Sequence, residues 1–299
     1  MRVYKFGGAS VKDASGIRNL SRIIARETGD VAVVVSAMGK TTNALERVVN
    51  ALWLRETEQM EREWQLIVDY HRAILRDLDV DVEIRMPETR ATFDNYDELY
   101  DQVVSYGELL STRIVSAYLT RVGIRNQWLD MTRLLRTDAT FRAAQVDYPA
   151  TEALMQEVFR YRPTADYQNR PKVSVLQGFI GGTRDGRRTT LGREGSDYTA
   201  ALVGSVLNAD SVTIWKDVPG ILTADPRKDP HAKLIPILSY EDAERLAESG
   251  AQIIHRKTIF PLERKQIPLY VKPFLHPDAA GSVICKTNLK LNMPVQWGK

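Results

Sequence analysis

Residues 2–35 read RVYKFGGASVKDASGIRNLSRIIARETGDVAVVV, and this stretch decides the fold. RVYKF (2–6) and VAVVV (31–35) are short β-rich runs. The second has no polar alternation, as expected of a strand covered on both faces. Between them Val11, Ile17, Leu20, Ile23 and Ile24 recur at helix spacing. Strand, helix and strand at this length make a βαβ unit and a parallel pair. Inside it, KFGGAS places Lys5 at a strand end ahead of two glycines. Glycines let another molecule approach the backbone, and free N–H groups at a helix start favour an anion. Two readings follow: a phosphate site, or a tight strand-to-helix turn with Lys5 reaching solvent.

The same alternation continues outward. After SAMGKTTN (36–43) comes a long charged helical region over 44–80. PETRATFDN (87–95) breaks it, and a second long helix follows over 96–121. RNQWLD (125–130) reads as a strand and YPATEALMQEVFRY (148–161) as a helix opened by proline. KVSVLQGFIGGTRDGRRTTLGREGSDYTAALVGSVL (172–207) reads as strand, glycine-rich hairpin, glycine turn and helix. SVTIW (211–215) and IPLYVK (267–272) are further strands. LSYEDAERLAESG (238–250) is a helix with Ser239 as N-cap and Gly250 as C-cap. The expected class is α/β, a three-layer αβα sandwich around a mostly parallel sheet.

Composition bounds the function. The chain has 299 residues, 43% apolar and 26% charged, with a net charge of +3. That balance gives no argument for nucleic acid. The single cysteine, Cys285, allows no internal disulfide and fits a reducing compartment. No apolar run is long enough for a membrane span, and the N-terminus lacks signal-peptide character. The expectation is a cytoplasmic protein. The histidines at 71, 231, 255 and 276 have no metal-ligand spacing and read as structural or exposed.

Several motifs carry chemistry. GKT (39–41) lacks the earlier glycine of a nucleotide P-loop, since that position is Val34, and GxGxxG is absent. Around it, Thr41 or Thr42 could simply cap a helix, or Ser36, Thr42 and Asn43 could line the mouth of a parallel sheet. Glu108 falls in an apolar helical stripe with Val104, Ser111 and Val115. A carboxylate there needs a cation, either an arginine or a ligand ammonium. In TTLGREGSDYTAA (189–201), Ser196 or Asp197 can cap the helix, and Arg193 offers a fork suited to carboxylate or phosphate. Asp217, in WKDVPGILTADPR (215–227), follows a strand and reads as turn chemistry or as part of a nucleotide loop.

In order, KFGGAS, SAMGKTTN, GELLST, QGFIGG, TLGREGSDYTAA and WKDVPGILTADPR resemble the signature motifs of aspartate kinase, within the amino-acid-kinase (carbamate-kinase-like) fold. The resemblance covers residues 2–286. It implies transfer of the γ-phosphoryl group of ATP to the β-carboxylate of L-aspartate, the first step of lysine, threonine and methionine biosynthesis. It implies L-aspartate and MgATP as partners, Mg²⁺ held mainly through the nucleotide phosphates, and a homodimer. Lys5 would contact the transferring group, Gly7 and Gly8 would approach the phosphates, and Ser36 would lie near them. Thr42, Glu108, Arg193 and Ser196 would hold aspartate, with a backbone contact from Phe179. Glu108 would take the α-ammonium and Arg193 a carboxylate. Asp197 would orient the catalytic groups. Lys216, Asp217, Leu222, Arg227 and Gln252 would belong to the nucleotide side.

Departures from the commonest pattern are Ala9 for threonine, Lys216 for threonine, Leu222 for tyrosine, Gln252 for lysine and Arg256 for proline. The alternatives are a related kinase acting on glutamate, N-acetylglutamate or a nucleoside monophosphate, or a degenerate nucleotide- or amino-acid-binding sensor. The expected layout is one catalytic domain over 1–286, with the amino-acid side over 1–190 and the nucleotide side over 191–286. Residues 287–299 read as the start of a truncated or absent C-terminal regulatory region, so no feedback inhibition by lysine or threonine is expected of this chain.

Overall fold

The computed structural model describes residues 1–87, 93–160, 172–225, 229–249, 254–287 and 289. The opening stretch forms β1 (Arg2–Phe6), α1 (Ala14–Ala25) and β2 (Val31–Val35). Asp13 caps α1 by accepting from the Gly16 N–H at 2.8 Å. Two helices follow, α2 (Thr41–Leu54) and α3 (Thr57–Leu78), then α4 (Tyr96–Val104) and α5 (Tyr106–Arg121). β3 (Asn126–Leu129), the short α6 (Met131–Leu134) and α7 (Tyr148–Arg160) lead to β4 (Val173–Gln177). A hairpin of β5 (Ile180–Gly182) and β6 (Arg188–Thr190) precedes α8 (Gly195–Val206) and β7 (Ser211–Lys216). The chain closes with β8 (Ile237–Leu238), α9 (Tyr240–Glu248), α10 (Arg256–Glu263), β9 (Leu269–Pro273) and β10 (Ser282–Ile284).

One eight-stranded sheet runs in the order β3-β4-β2-β1-β7-β9-β10-β8. From β3 to β9 every neighbouring pair is parallel, and β10 turns antiparallel to β9. Alternate residues of the central strands enter different layers, as the two-residue period requires. Tyr4, Phe6, Val31, Val33 and Val35 pack with α1 and α5 through Ile17, Leu20, Leu110 and Ile114. Val3, Ala32, Val34, Val212 and Ile214 pack on the other face with α8 and α10 through Ala200, Val203, Ile259 and Leu262. That is the expected three-layer sandwich.

Both long helical regions are broken where no glycine or proline marks a break. Arg55 takes a left-handed φ of 60° between α2 and α3, and Ser105 separates α4 from α5. Val104 therefore sits on a different helix from Glu108. The caps also differ. Lys40 occupies the N-cap of α2 while Thr41 Oγ1 donates to Met38 O at 2.6 Å. Glu194, not Ser196 or Asp197, occupies the N-cap of α8. Ser239 caps α9 as expected, accepting from the Asp242 N–H at 3.0 Å, and Gly250 lies outside the described residues.

His71, on α3, is fully buried beside α2 and donates from Nδ1 to Ile67 O at 2.8 Å. Burial pushes its pKa down to about 4, against the opposing backbone bond. A histidine whose folded pKa lies below its unfolded value of about 6.5 contributes stability above that value and loses it as pH falls toward 4. The loss integrates to about 3 kcal/mol. Urea unfolding of wild type and His71→Gln between pH 7 and 4 should show their difference shrinking by about that amount.

Candidate functional site

Because β1, β2, β4 and β7 are parallel, their carboxyl ends lie on one edge of the sheet. β1 is the point where the order reverses, with β2 on one side and β7 on the other. A crevice opens at such a point in open α/β sheets. Here it is a cavity of about 630 Å³ between these strand ends, the first turns of α2 and α8, and Glu108 of α5.

Lys5 is the next-to-last residue of β1, flanked by Val34 and Ile214. Its Nζ lies 2.7 Å from Asp197 Oδ1 in the first turn of α8, and Lys216, the last residue of β7, reaches Asp197 Oδ2 at 3.4 Å. Burial alone would raise the Asp197 pKa, but the two ammonium groups outweigh it and hold the carboxyl below its ordinary value. The charge therefore stays on Asp197, and it fixes both lysines at the cavity floor.

Glu108 is 2% exposed. Its Oε1 accepts from the Ala37 N–H at 3.1 Å, and Oε2 has no hydrogen-bond partner. Burial pushes its pKa up to about 8, opposed by backbone N–H groups and by Lys5. A buried carboxylate with an open oxygen is a site for a cation or a strong donor.

Ser36, Thr42, Phe179, Arg193 and Ser196 all line the same cavity. Phe179 has a left-handed φ of 69°. Its N–H already donates to Thr199 Oγ1 at 3.1 Å and its carbonyl accepts from Leu191 N–H at 2.9 Å, which leaves the carbonyl's second lone pair. Asp217 is exposed just beyond β7, and Leu222 is buried in a bridge to Leu234; neither is on the cavity wall. Arg227 and Gln252 lie outside the described residues.

Gly7 and Gly8 divide in role. A Cβ on Gly7 would meet only Lys5 Nζ, at 3.4 Å. A Cβ on Gly8 would lie 2.6 Å from Ala37 O, because the Gly8 carbonyl accepts from Gly39 N–H and draws the two loops together.

The motif reading missed Tyr100, Arg142, Thr190 and Glu194, all on the wall. The Arg142 guanidinium stacks 4.5 Å from the Tyr100 ring centroid and pairs with Asp97 at 3.1 Å. Asp101 holds this wall together. Its Oδ2 accepts from the backbone N–H groups of Arg142 (3.0 Å) and Thr190 (2.8 Å), and its Oδ1 from Thr190 Oγ1 (2.7 Å). Arg142 lies in a polar loop with no motif of its own, and only these long-range bonds bring it to the site. Glu194, raised in pKa by burial, follows Arg193 in a left-handed turn with φ 56°.

Residues 1–273 match the amino acid kinase family. The chain is 35% identical over 298 residues to the lysine-sensitive aspartokinase 3 of Escherichia coli K12, covering 95% of this chain and 64% of that protein. It is 33% identical to the chloroplastic aspartokinase 1 of Arabidopsis thaliana, covering 95% of this chain and 52% of that protein. Its fold superposes with a TM-score of 0.83 on E. coli aspartokinase III crystallised with aspartate and ADP, at 32% identity, over 97% of this chain and 65% of the other. The chain thus spans between half and two thirds of the length of these relatives.

The two glycines make opposed predictions. Gly8→Ala should cost about 1–3 kcal/mol of stability by forcing the β1 and β2 loops apart. Gly7→Ala, which meets only the end of a flexible side chain, should unfold in urea within about 0.5 kcal/mol of wild type.

Proposed function

The chain belongs to the amino acid kinase family, and from that premise and the charge layout of the cavity we propose that it is an aspartate kinase. It would transfer the γ-phosphoryl group of MgATP to the β-carboxylate of L-aspartate, giving 4-phospho-L-aspartate and ADP. The observation that carries the choice of substrate is the open Oε2 of buried Glu108. An α-ammonium would supply its missing partner. An N-acetylated substrate has no ammonium, and a nucleoside monophosphate would bring a second anion against Glu108.

The chemistry matches the residues. A substrate β-carboxylate has a reference pKa of about 4, so at neutral pH no base is needed. Phosphoryl transfer then rests on alignment and charge stabilisation. Lys5 uses one N–H on Asp197 and keeps two for oxygen atoms of the moving group. Lys216, from the next strand, would sit on the nucleotide side of the same carboxylate. Arg193 would take a substrate carboxylate by its two-pronged fork. Thr42, Ser196 and the Phe179 carbonyl would complete the aspartate shell, and Ser36 and Gly7 would face the phosphates. Among the described residues no group of three or more His, Cys, Asp or Glu side chains could hold a metal ion. Mg²⁺ would arrive with the substrate, on the ATP phosphates.

The decisive assay follows ADP release with L-aspartate, MgATP and hydroxylamine as a trap for the acyl phosphate. Wild type should turn over only when aspartate is present. Lys5→Ala should lose about 10²–10³-fold in kcat. Glu108→Ala should raise the KM for aspartate by about 10²–10³-fold, the cost of stripping a buried charge of its partner. Binding of both substrates without turnover would instead favour the sensor reading.

A pH dependence follows from Glu108. With its pKa near 8 in the empty cavity, the group must lose its proton before an ammonium can bind. The apparent Kd for aspartate should therefore rise as pH falls below 8, by about tenfold per unit. Calorimetric titration from pH 6 to 8.5 tests this, and Glu108→Gln should flatten the profile.

A further inference from the structure

Three acids line the cavity, Glu108, Glu194 and Asp197. The proposed reaction uses two of them. Glu108 would face the substrate ammonium, and Asp197 holds two lysines. Glu194 has no task in that scheme, and the fold does not explain it either. It occupies the N-cap of α8 without a side-chain capping bond. Its φ of 56° is left-handed, where glycine would be free of strain. Yet the position carries a long charged side chain.

The backbone holds that side chain in a defined place. The Glu194 carbonyl accepts from the N–H groups of Asp197 and Tyr198, both at 3.1 Å, which ties it to the first turn of α8. Among the described residues the Glu194 Oε2 has no hydrogen-bond partner, although it is buried. Burial raises the pKa of the group, and Lys216 opposes this more strongly than Lys5 does. For Glu108 the lysine that opposes burial is Lys5. Glu194 thus stands toward Lys216, on the side proposed for the nucleotide. A phosphate chain laid along Lys5 and Lys216 comes against this carboxylate, and like charges repel strongly where water is scarce. A hard divalent cation removes the conflict. Mg²⁺ takes oxygen ligands, keeps several waters, and is usually held by one or two carboxylates together with substrate phosphates. One buried carboxylate oxygen without a partner fits that donor set.

From this we infer that Glu194 is a specificity-determining residue: its Oε2 receives the Mg²⁺ that rides on the nucleotide phosphates, and its charge turns away nucleotide that carries no metal. The inference rests on the kinase reading above. Asp197 is engaged by its two lysines, and Glu108 stands toward the amino-acid side, so the metal falls to Glu194. The ammonium groups of Lys5 and Lys216 alone would favour metal-free nucleotide, which carries more negative charge. A preference for the metal-bound form needs a carboxylate among them.

The test uses the full chain and ADP, titrated calorimetrically with Mg²⁺ in excess or with a chelator. Wild type should bind MgADP about tenfold or more tightly than free ADP. In Glu194→Gln the free form should gain affinity and the metal form lose it, bringing the two within about threefold. Glu194→Gly, which the left-handed backbone accommodates, should do the same, so the result does not hang on how one variant folds. The Kd for L-aspartate alone should stay within about twofold of wild type in both variants, since Glu108 would hold that substrate. Wild-type affinities for ADP and MgADP within about twofold of each other, or a wild-type preference kept in both variants, would overturn the inference and leave the kinase reading standing. A loss of aspartate affinity as large as that of MgADP would also overturn it, by showing general damage to the cavity. Absence of any nucleotide binding would overturn the kinase reading, and the inference with it.

Discussion

The ion pair between Lys5 and Asp197 is the constraint on which the site depends. At 2.7 Å, with side chains 11% and 4% exposed, the two charges sit where an unpaired charge would be prohibitive. Each makes the other tolerable. Lys216 adds a second cation to the same carboxylate. A buried charge cluster is a poor device for stability, since apolar residues of similar volume would do better. In the proposed reaction it would present two fixed ammonium groups to the phosphates.

The sheet is what brings these groups together. Lys5 and Lys216 leave adjacent parallel strands at the same edge, with Lys5 in register with Ile214 and two residues short of Lys216 on β7. Asp197 comes from α8, which packs on one face of the sheet, and Glu108 from α5, which packs on the other. A crevice at the reversal point is reached from both helical layers, so Glu108 and the lysine-paired Asp197 can approach one small volume from opposite sides. That separation keeps Glu108 away from strong neutralisation by the lysines and leaves its outer oxygen open.

What was legible in the sequence follows from how local each signal is. The βαβ unit, the buried strands and the β5–β6 hairpin could be read because period and glycine spacing are properties of short windows. β8 and β10, two and three residues long, carry too little pattern to be seen, and they form only because neighbouring strands offer unpaired edges. The break at Arg55 is invisible because arginine favours helix, and tertiary packing of α2 against α3 overrides that preference. In the site, Lys5, Glu108 and Arg193 stood out as charges set among apolar residues or glycines. Arg142 and Tyr100 did not, because Asp101 places them through bonds to residues 41 and 89 positions away.

Three wall residues, Arg142, Phe179 and Glu194, hold left-handed backbone that would ordinarily call for glycine, and the last two of them meet. Such residues persist where their surroundings over-determine them. Here the cause can be traced. A side chain on Gly195 would lie 2.8 Å from the Phe179 ring, so the α8 turn and the β4–β5 turn meet in close contact. With the tighter position given to glycine, Glu194 must take the capping turn, and its Oε2 is left buried without a partner beside Asp197 and Lys216. Strain and an unsatisfied carboxylate oxygen thus fall on one turn, which also carries Arg193 and Ser196. A turn held against its local preference by packing on two sides has little freedom to relax when the cavity is empty. Arg193 is therefore presented from a backbone fixed in advance, and in the proposed role less ordering would be left for the moment of binding.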